Sequence, residues 1–187
     1  MKTNLERLQE ALFIEGDSGA DGALLTSEPN CRYLTGFPCS SRTILVTKEE
    51  VYFLTDFRYG EAARKKIQGC AIVEYRDARR SLEELLRRHN IKTLLLEYDN
   101  LSYGESEKYR SICEGLGVEP VLDRTLDTVL RTLRAVKQPW EIERLKASQA
   151  ITDAAFTHIL PYLKEGATER EIALEIEFFM KKNGAED

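Results

Sequence analysis

Apolar positions recur along this chain with two different periods. Leu5, Leu8 and Leu12 share one face of a helix, whereas Gly22 to Thr26 is a short continuous apolar run of strand type. Asn30 to Gly36 reads as a turn or short helix. Two β-rich runs follow, Arg42 to Thr47 and Val51 to Thr55, separated only by Lys48, Glu49 and Glu50, which predicts a hairpin. From Arg58 the period alternates: helix Arg58 to Ile67, strand Cys70 to Tyr75, helix Ser81 to His89, strand Lys92 to Glu97, helix Ser102 to Leu116 and strand Val118 to Leu122. Ser81 and Glu84 have capping-box spacing, in which each side chain satisfies the other's free backbone amide. Strands alternating with helices predict an α/β fold, a sheet covered by helices. The hairpin makes that sheet mixed.

The last third has no strand-like run. Gln138 to Leu163 is helical in pattern, with Pro139 suited to the first turn and Pro161 expected to kink the helix or end it early. Thr168 and Glu171 form a second capping box ahead of a helix Thr168 to Lys182, whose Ile172, Ile176, Phe179 and Met180 make an apolar stripe. No sheet follows to cover that stripe. The expectation is a complete α/β domain over residues 1–131 and an incomplete second domain over 132–187, the pattern changing near Ala135. The stripe is expected to lie exposed and to make the chain pair with itself or lean on its own first domain.

Composition narrows the function classes. With 27 Lys and Arg against 32 Asp and Glu, the net charge of -5 lacks the basic surplus of proteins that grip a phosphate backbone, so no nucleic-acid partner is expected. Apolar runs such as Leu94 to Leu96 fall far short of the roughly 20 residues that span a bilayer, so no membrane partner is expected either. Charges interrupt the first residues every few positions, unlike a secretion signal, and the location read from this is cytoplasmic. Cys31, Cys39, Cys70 and Cys113 contain no C-x-x-C pair and read as reduced thiols. His158 has no carboxylate at i+3 or i+4 and reads as a hydrogen-bonded, half-buried histidine. His89 ends a charged helix, where it favours the negative terminus. The pairs Arg79-Arg80 and Arg87-Arg88 are flanked by acids and read as a solvated face. Trp140 reads as a packing residue.

Several segments resemble a known family. Asn30-Cys31-Arg32-Tyr33-Leu34-Thr35-Gly36-Phe37 is similar to an Asn-x-Arg-Tyr-Leu-Thr-Gly-Phe segment of the proline peptidase and creatinase family, and Thr55-Asp56-Phe57-Arg58-Tyr59 to its Thr-Asp-x-Arg-Tyr segment. Leu133 to Lys137, with Glu141, Ile142 and Ala147, resembles the start of that family's pita-bread catalytic domain. Lys164 to Glu169 resembles its Gly-x-Thr-Glu helix start.

The resemblance implies an N-terminal mixed sheet with helices on both faces, followed here by the first two helices of a pita-bread domain. It implies a parent enzyme that hydrolyses the peptide bond before proline, of aminopeptidase P or prolidase type, acting as a homodimer on proline-containing peptides. Two divalent metals, manganese, cobalt or zinc, are implied for that parent, held by Asp, His and Glu ligands and activating a bridging water. Those ligands lie beyond the second helix in the family order, so no catalytic or metal-binding residue is assigned to this chain. Alone, it is expected to be inactive. Asp56, Arg58 and Tyr59 are the candidate substrate-binding residues: they follow a strand and open a helix, in a domain that borders the family's active-site cleft. Arg58 either holds a substrate carboxylate or anchors its own loop through Asp56. A creatinase-like C–N hydrolase and a non-catalytic protein-binding relative are the competing readings.

Overall fold

A computed structural model describes residues 2–14 and 18–186. The chain divides into two compact units, Met1–Ala135 and Val136–Asp187. The first holds a six-stranded mixed sheet, β1 (Gly22–Leu25), β2 (Thr43–Thr47), β3 (Val51–Asp56), β4 (Ala71–Tyr75), β5 (Thr93–Leu96) and β6 (Glu119–Val121), in the order β4-β3-β2-β1-β5-β6. The β2–β3 hairpin and the β1–β2 pair are antiparallel; β3–β4, β1–β5 and β5–β6 are parallel.

Both faces of the sheet are covered, so its central strands are mostly apolar and divide their side chains by parity. Ala23, Leu25, Ile44, Val46, Phe53 and Leu95 point to one core, shared with helices α1 (Asn4–Phe13), α2 (Glu28–Thr35), α3 (Phe57–Lys66) and α6 (Thr125–Ala135). Leu24, Leu45, Tyr52, Leu54, Leu94 and Leu96 point to the other, closed by α4 (Ala78–Arg88) and α5 (Tyr103–Glu114). Leu5, Leu8 and Leu12 of α1 are fully buried, as their spacing requires.

Local chemistry sets the helix ends. Thr3 with Glu6 and Ser102 with Glu105 form capping boxes on α1 and α5. The segment around Asn30 is a true helix, α2, closed by Gly36 at φ 65°, a conformation that only glycine adopts without strain. The expected Ser81–Glu84 box does not form. Asp77 accepts from the Arg80 amide and starts α4 a turn earlier, because Ala78, Arg79 and Arg80 are good helix formers, and Glu84 pairs with Arg80 instead. Helix α6 has an apolar spacing, Leu126, Val129, Leu130 and Leu133, that the alternation reading passed over; it runs across position 131 to Ala135.

The second unit is helical. Helix α7 (Pro139–Ile159) ends in a 3₁₀ turn at Leu160–Tyr162, where Pro161 cannot donate to a continuing helix. Helix α8 (Glu169–Lys182) starts on the Thr168–Glu171 capping box. Its stripe is not the exposed face: Ile172, Ile176, Phe179 and Met180 are half-buried, α8 packs on α7, and the Phe179 ring stacks on His158 at 4.2 Å. Leu174 and Phe178 are the exposed apolar residues of α8, at 56% and 66%. Two amphipathic helices bury a face against each other before either seeks an external surface. Among the described residues no helix is long and apolar enough to cross a membrane.

Candidate functional site

Asp56 is the last residue of β3 and the N-cap of α3. Its Oδ1 accepts from the Arg58 amide at 2.9 Å, and both carboxylate oxygens accept from the Arg58 guanidinium, Nη2 to Oδ2 at 2.7 Å and Nε to each at 3.2 Å. A strand-to-helix turn thus allows a forked pair between residues two apart, which an extended strand would not. The Arg58 side chain remains largely in solvent, and its guanidinium carbon lies 5.3 Å from the centre of the Tyr59 ring. Tyr59 packs edge-on to Phe37 and shares a hydrogen bond with the Ser40 hydroxyl at 3.0 Å. Ser41 ties the same corner: its Oγ accepts from the Asp56 amide and bonds the Tyr75 hydroxyl at 2.6 Å, while its carbonyl accepts from Thr55.

The structure therefore brings all three predicted residues to one corner of the sheet, joined by Ser40, Ser41 and Tyr75. Hydrogen bonding from Arg58 holds the Asp56 carboxyl below its usual value of 3.8. Because the pKa is lowered by folding, the stabilisation from this pair is complete above 3.8 and disappears as the pH falls through the lowered value. We expect thermal melts at neutral pH to rank wild type above Asp56→Asn, which keeps the cap, and Asp56→Ala lowest. Below the ordinary aspartate range wild type and Asp56→Asn are expected to converge. A gap that persists at acid pH would deny the ion pair its role.

The histidines take partners that their own helices do not supply. Nε2 of His158 bonds Glu175 of α8 at 2.7 Å, and His89 lies between Tyr52 at 2.7 Å and Glu49 at 3.0 Å. Three of the four paired arginines meet an acid on their own helix, Arg79 and Arg87 at Glu83 and Arg80 at Glu84. Trp140 is 40% exposed, with Arg144 over its ring. All four cysteines are free. Burial raises every thiol, Cys70 and Cys113 to about 11 and Cys31 further, so none is a ready nucleophile. In iodoacetamide labelling at pH 8 the folded chain should react far more slowly than the chain in denaturant; one fast thiol in the native state would contradict this.

Among the described residues no group of three or more His, Cys, Asp or Glu side chains is placed to hold a metal ion. His158 and Glu175 make a pair, and a metal needs more converging donors than that.

A second constellation went unseen in the sequence. Glu97, at the end of the β5 apolar run, is 0% exposed and accepts from the Thr26 amide (2.6 Å), the Ser27 amide (2.8 Å), the Ser27 hydroxyl (2.7 Å) and Nδ2 of Asn30 (2.7 Å). Oδ1 of Asn30 in turn accepts from Arg134 at 3.1 Å. Asp127 serves the neighbouring turn in the same way, accepting from the Tyr98 and Asp99 amides. The one available signal was an acid closing a run of leucines, with an Asn in the segment that carries the family resemblance.

Comparison with known proteins agrees with this architecture. The profile of the creatinase/prolidase N-terminal domain matches residues 5–136, and that of metallopeptidase family M24 matches residues 143–187. The chain belongs to the creatinase/prolidase N-terminal domain family. It is 32% identical to an uncharacterized peptidase of Bacillus subtilis over 96% of this chain and 50% of that protein, and 27% identical to the Xaa-Pro dipeptidase of Pyrococcus horikoshii over 97% and 49%. Among solved structures it superposes on an Xaa-Pro dipeptidase from Bacillus anthracis with a TM-score of 0.84 and 35% identity, covering 98% of this chain and 50% of that one. The prolidase from Pyrococcus furiosus gives 0.81 at 26% identity, covering 98% and 54%. The chain spans about half the length of the relatives it matches. Family M24 implies divalent metals for a full-length protein, but the described residues offer no fitting donor set.

Proposed function

We propose that this chain is the N-terminal part of a metal-dependent Xaa-Pro peptidase, of aminopeptidase P or prolidase type, that hydrolyses the bond before proline. The observation that carries this reading is the order of the two profile matches, a creatinase/prolidase N-terminal domain followed directly by the start of family M24, in relatives that include Xaa-Pro dipeptidases. In this reading the sheet unit, closed by α6, is a self-contained domain, the parent acts as a homodimer, and it works in the cytoplasm, where four unpaired cysteines suit a reducing compartment. Asp56, Arg58 and Tyr59 form part of the substrate path. Asp56 occupies Nε and Nη2 of Arg58, so Nη1 remains for the carboxylate of a proline-containing peptide.

The test joins this chain to the C-terminal half of the B. anthracis dipeptidase, with the intact dipeptidase as control. Metal-dependent hydrolysis of Ala-Pro or of a longer Ala-Pro peptide is the expected result. A folded, metal-loaded chimera that cleaves no Xaa-Pro bond would overturn the reading. In the active chimera Arg58→Gln should raise KM and leave kcat near wild type; a lowered melting temperature at constant KM would restrict Arg58 to anchoring its loop.

A further inference from the structure

Where β2 begins and β4 ends, a cavity of about 190 Å³ opens on the α4–α5 side of the sheet. Three cations from segments remote in sequence line it: Arg42 just ahead of β2, Arg79 on α4 and Lys108 on α5. Among the described residues no aspartate or glutamate lines it. The Arg42 guanidinium donates through Nη1 to the Cys39 carbonyl at 2.6 Å, and its Nε is buried with no hydrogen-bond partner among the described residues. An unpartnered donor on a partly buried cation is costly and calls for a counter-charge. Arg79 shares its charge with Glu83, and Lys108 rests over the Tyr109 ring at 5.3 Å, so neither brings an anion into the cavity.

The remaining lining suits the same ligand. Ser40, Tyr75 and Tyr109 contribute hydroxyls, and burial pushes the Tyr109 phenol up to about 12, so it stays a neutral donor at physiological pH. Leu54 and Leu82 supply apolar, low-dielectric walls, which concentrate the field of the three cations. The volume lies below the ~300–1,000 Å³ of drug-sized pockets, which limits the occupant to an anionic group and a few attached atoms.

We propose that this cavity binds the oxyanion of a small molecule, a carboxylate or a phosphate, through Arg42, Arg79 and Lys108. Guanidinium groups match the planar or tetrahedral oxygens of both in forked pairs, and lysine adds a point charge. The cavity adjoins the Asp56–Arg58 corner through Ser40 and Tyr75, but its lining is carried by Arg42, Arg79 and Lys108 and the proposal does not depend on the peptidase reading.

The experiment titrates inorganic phosphate, Ala-Pro and Ala-prolinamide separately into the full 187-residue chain, followed by calorimetry and by amide NMR shifts at Thr43, Tyr75 and Tyr109. Saturable binding of phosphate, Ala-Pro or both is expected, with Ala-prolinamide inert. Phosphate alone identifies a phosphoryl ligand, and Ala-Pro alone a carboxylate. Arg42→Gln should weaken binding about tenfold or more, and the double variant Arg79→Gln/Lys108→Gln, at exposed helix positions, should do the same with its circular dichroism unchanged. Should Arg42→Gln fail to fold, the double variant decides. Absence of saturation by either anion below about 50 mM, or equal binding in the double variant, would overturn the proposal.

Discussion

Truncation of Phe53 to alanine is expected to lower the unfolding free energy of the sheet unit by about 3–5 kcal/mol. Phe53 sits in the middle of β3, 0% exposed, with Ile44 of β2 and Ile72 of β4 beside it in register. Its ring meets Phe37 edge-on at 6.2 Å, and Phe37 in turn meets Tyr59. Paired strands on both sides fix the backbone, so the cavity left by the ring cannot close by a local shift, and the cavity cost adds to the lost transfer free energy. A domain is stable by only about 5–15 kcal/mol, which makes this a large share of the total. Urea unfolding checks it. The buried thiols of Cys31 and Cys113 report on the sheet unit through their reaction with a thiol reagent, while Trp140 reports on the helical one. A fall in midpoint of the thiol-detected transition with an unchanged Trp140 signal is the expected pattern; a loss below about 1 kcal/mol would contradict the tight packing argued for this ring.

Glu97→Gln should cost about 2–4 kcal/mol although it changes almost no volume. The carboxylate accepts four short hydrogen bonds and a long one from the Thr26 hydroxyl at 3.5 Å, and hydrogen bonds to a charged acceptor are the stronger kind. A glutamine keeps one acceptor oxygen and turns an NH₂ toward two of those donors. If the NH₂ faces Ser27 and Asn30, the serine hydroxyl can rotate to accept, but the Asn30 amide cannot. Flipping Asn30 would present its own NH₂ to Arg134, whose Nη1 now donates to Oδ1. If the NH₂ faces the Thr26 and Ser27 amides instead, two backbone donors at the start of α2 lose their acceptor. Each arrangement strands a buried donor. Asn30→Asp, combined with Glu97→Gln, returns a carboxylate beside Arg134 and should recover part of the loss. Equal stability of wild type and Glu97→Gln would show that the buried charge contributes nothing.

Much of the architecture was legible because its signals are local. The spacing of Leu5, Leu8 and Leu12 places α1 on a core, and the three polar residues Lys48 to Glu50 between two β-rich runs oblige a hairpin. The capping box at Thr168 marks a helix start because side chain and amide lie three residues apart. The same logic misfired at Ser81, where a second acceptor, Asp77, competed one turn upstream and won. It also passed over α6, whose amphipathic spacing lay between a strand and the long helix.

Sequence alone determined the order and kind of most elements, the family resemblance, and Asp56, Arg58 and Tyr59 as a group of interest, since adjacent residues at a strand-to-helix turn remain adjacent in space. Which polar groups are buried, and what satisfies them, was decided by tertiary structure. Glu97 and Asn30 are 67 positions apart and meet only because β5 pairs in parallel with β1, whose end leads into α2. Arg42, Arg79 and Lys108 converge only after β2, α4 and α5 are packed, and the α8 stripe finds α7 rather than solvent. A local pattern fixes periodicity and caps, whereas the partner of a buried charge depends on loop closure across many residues, which no short window of sequence contains.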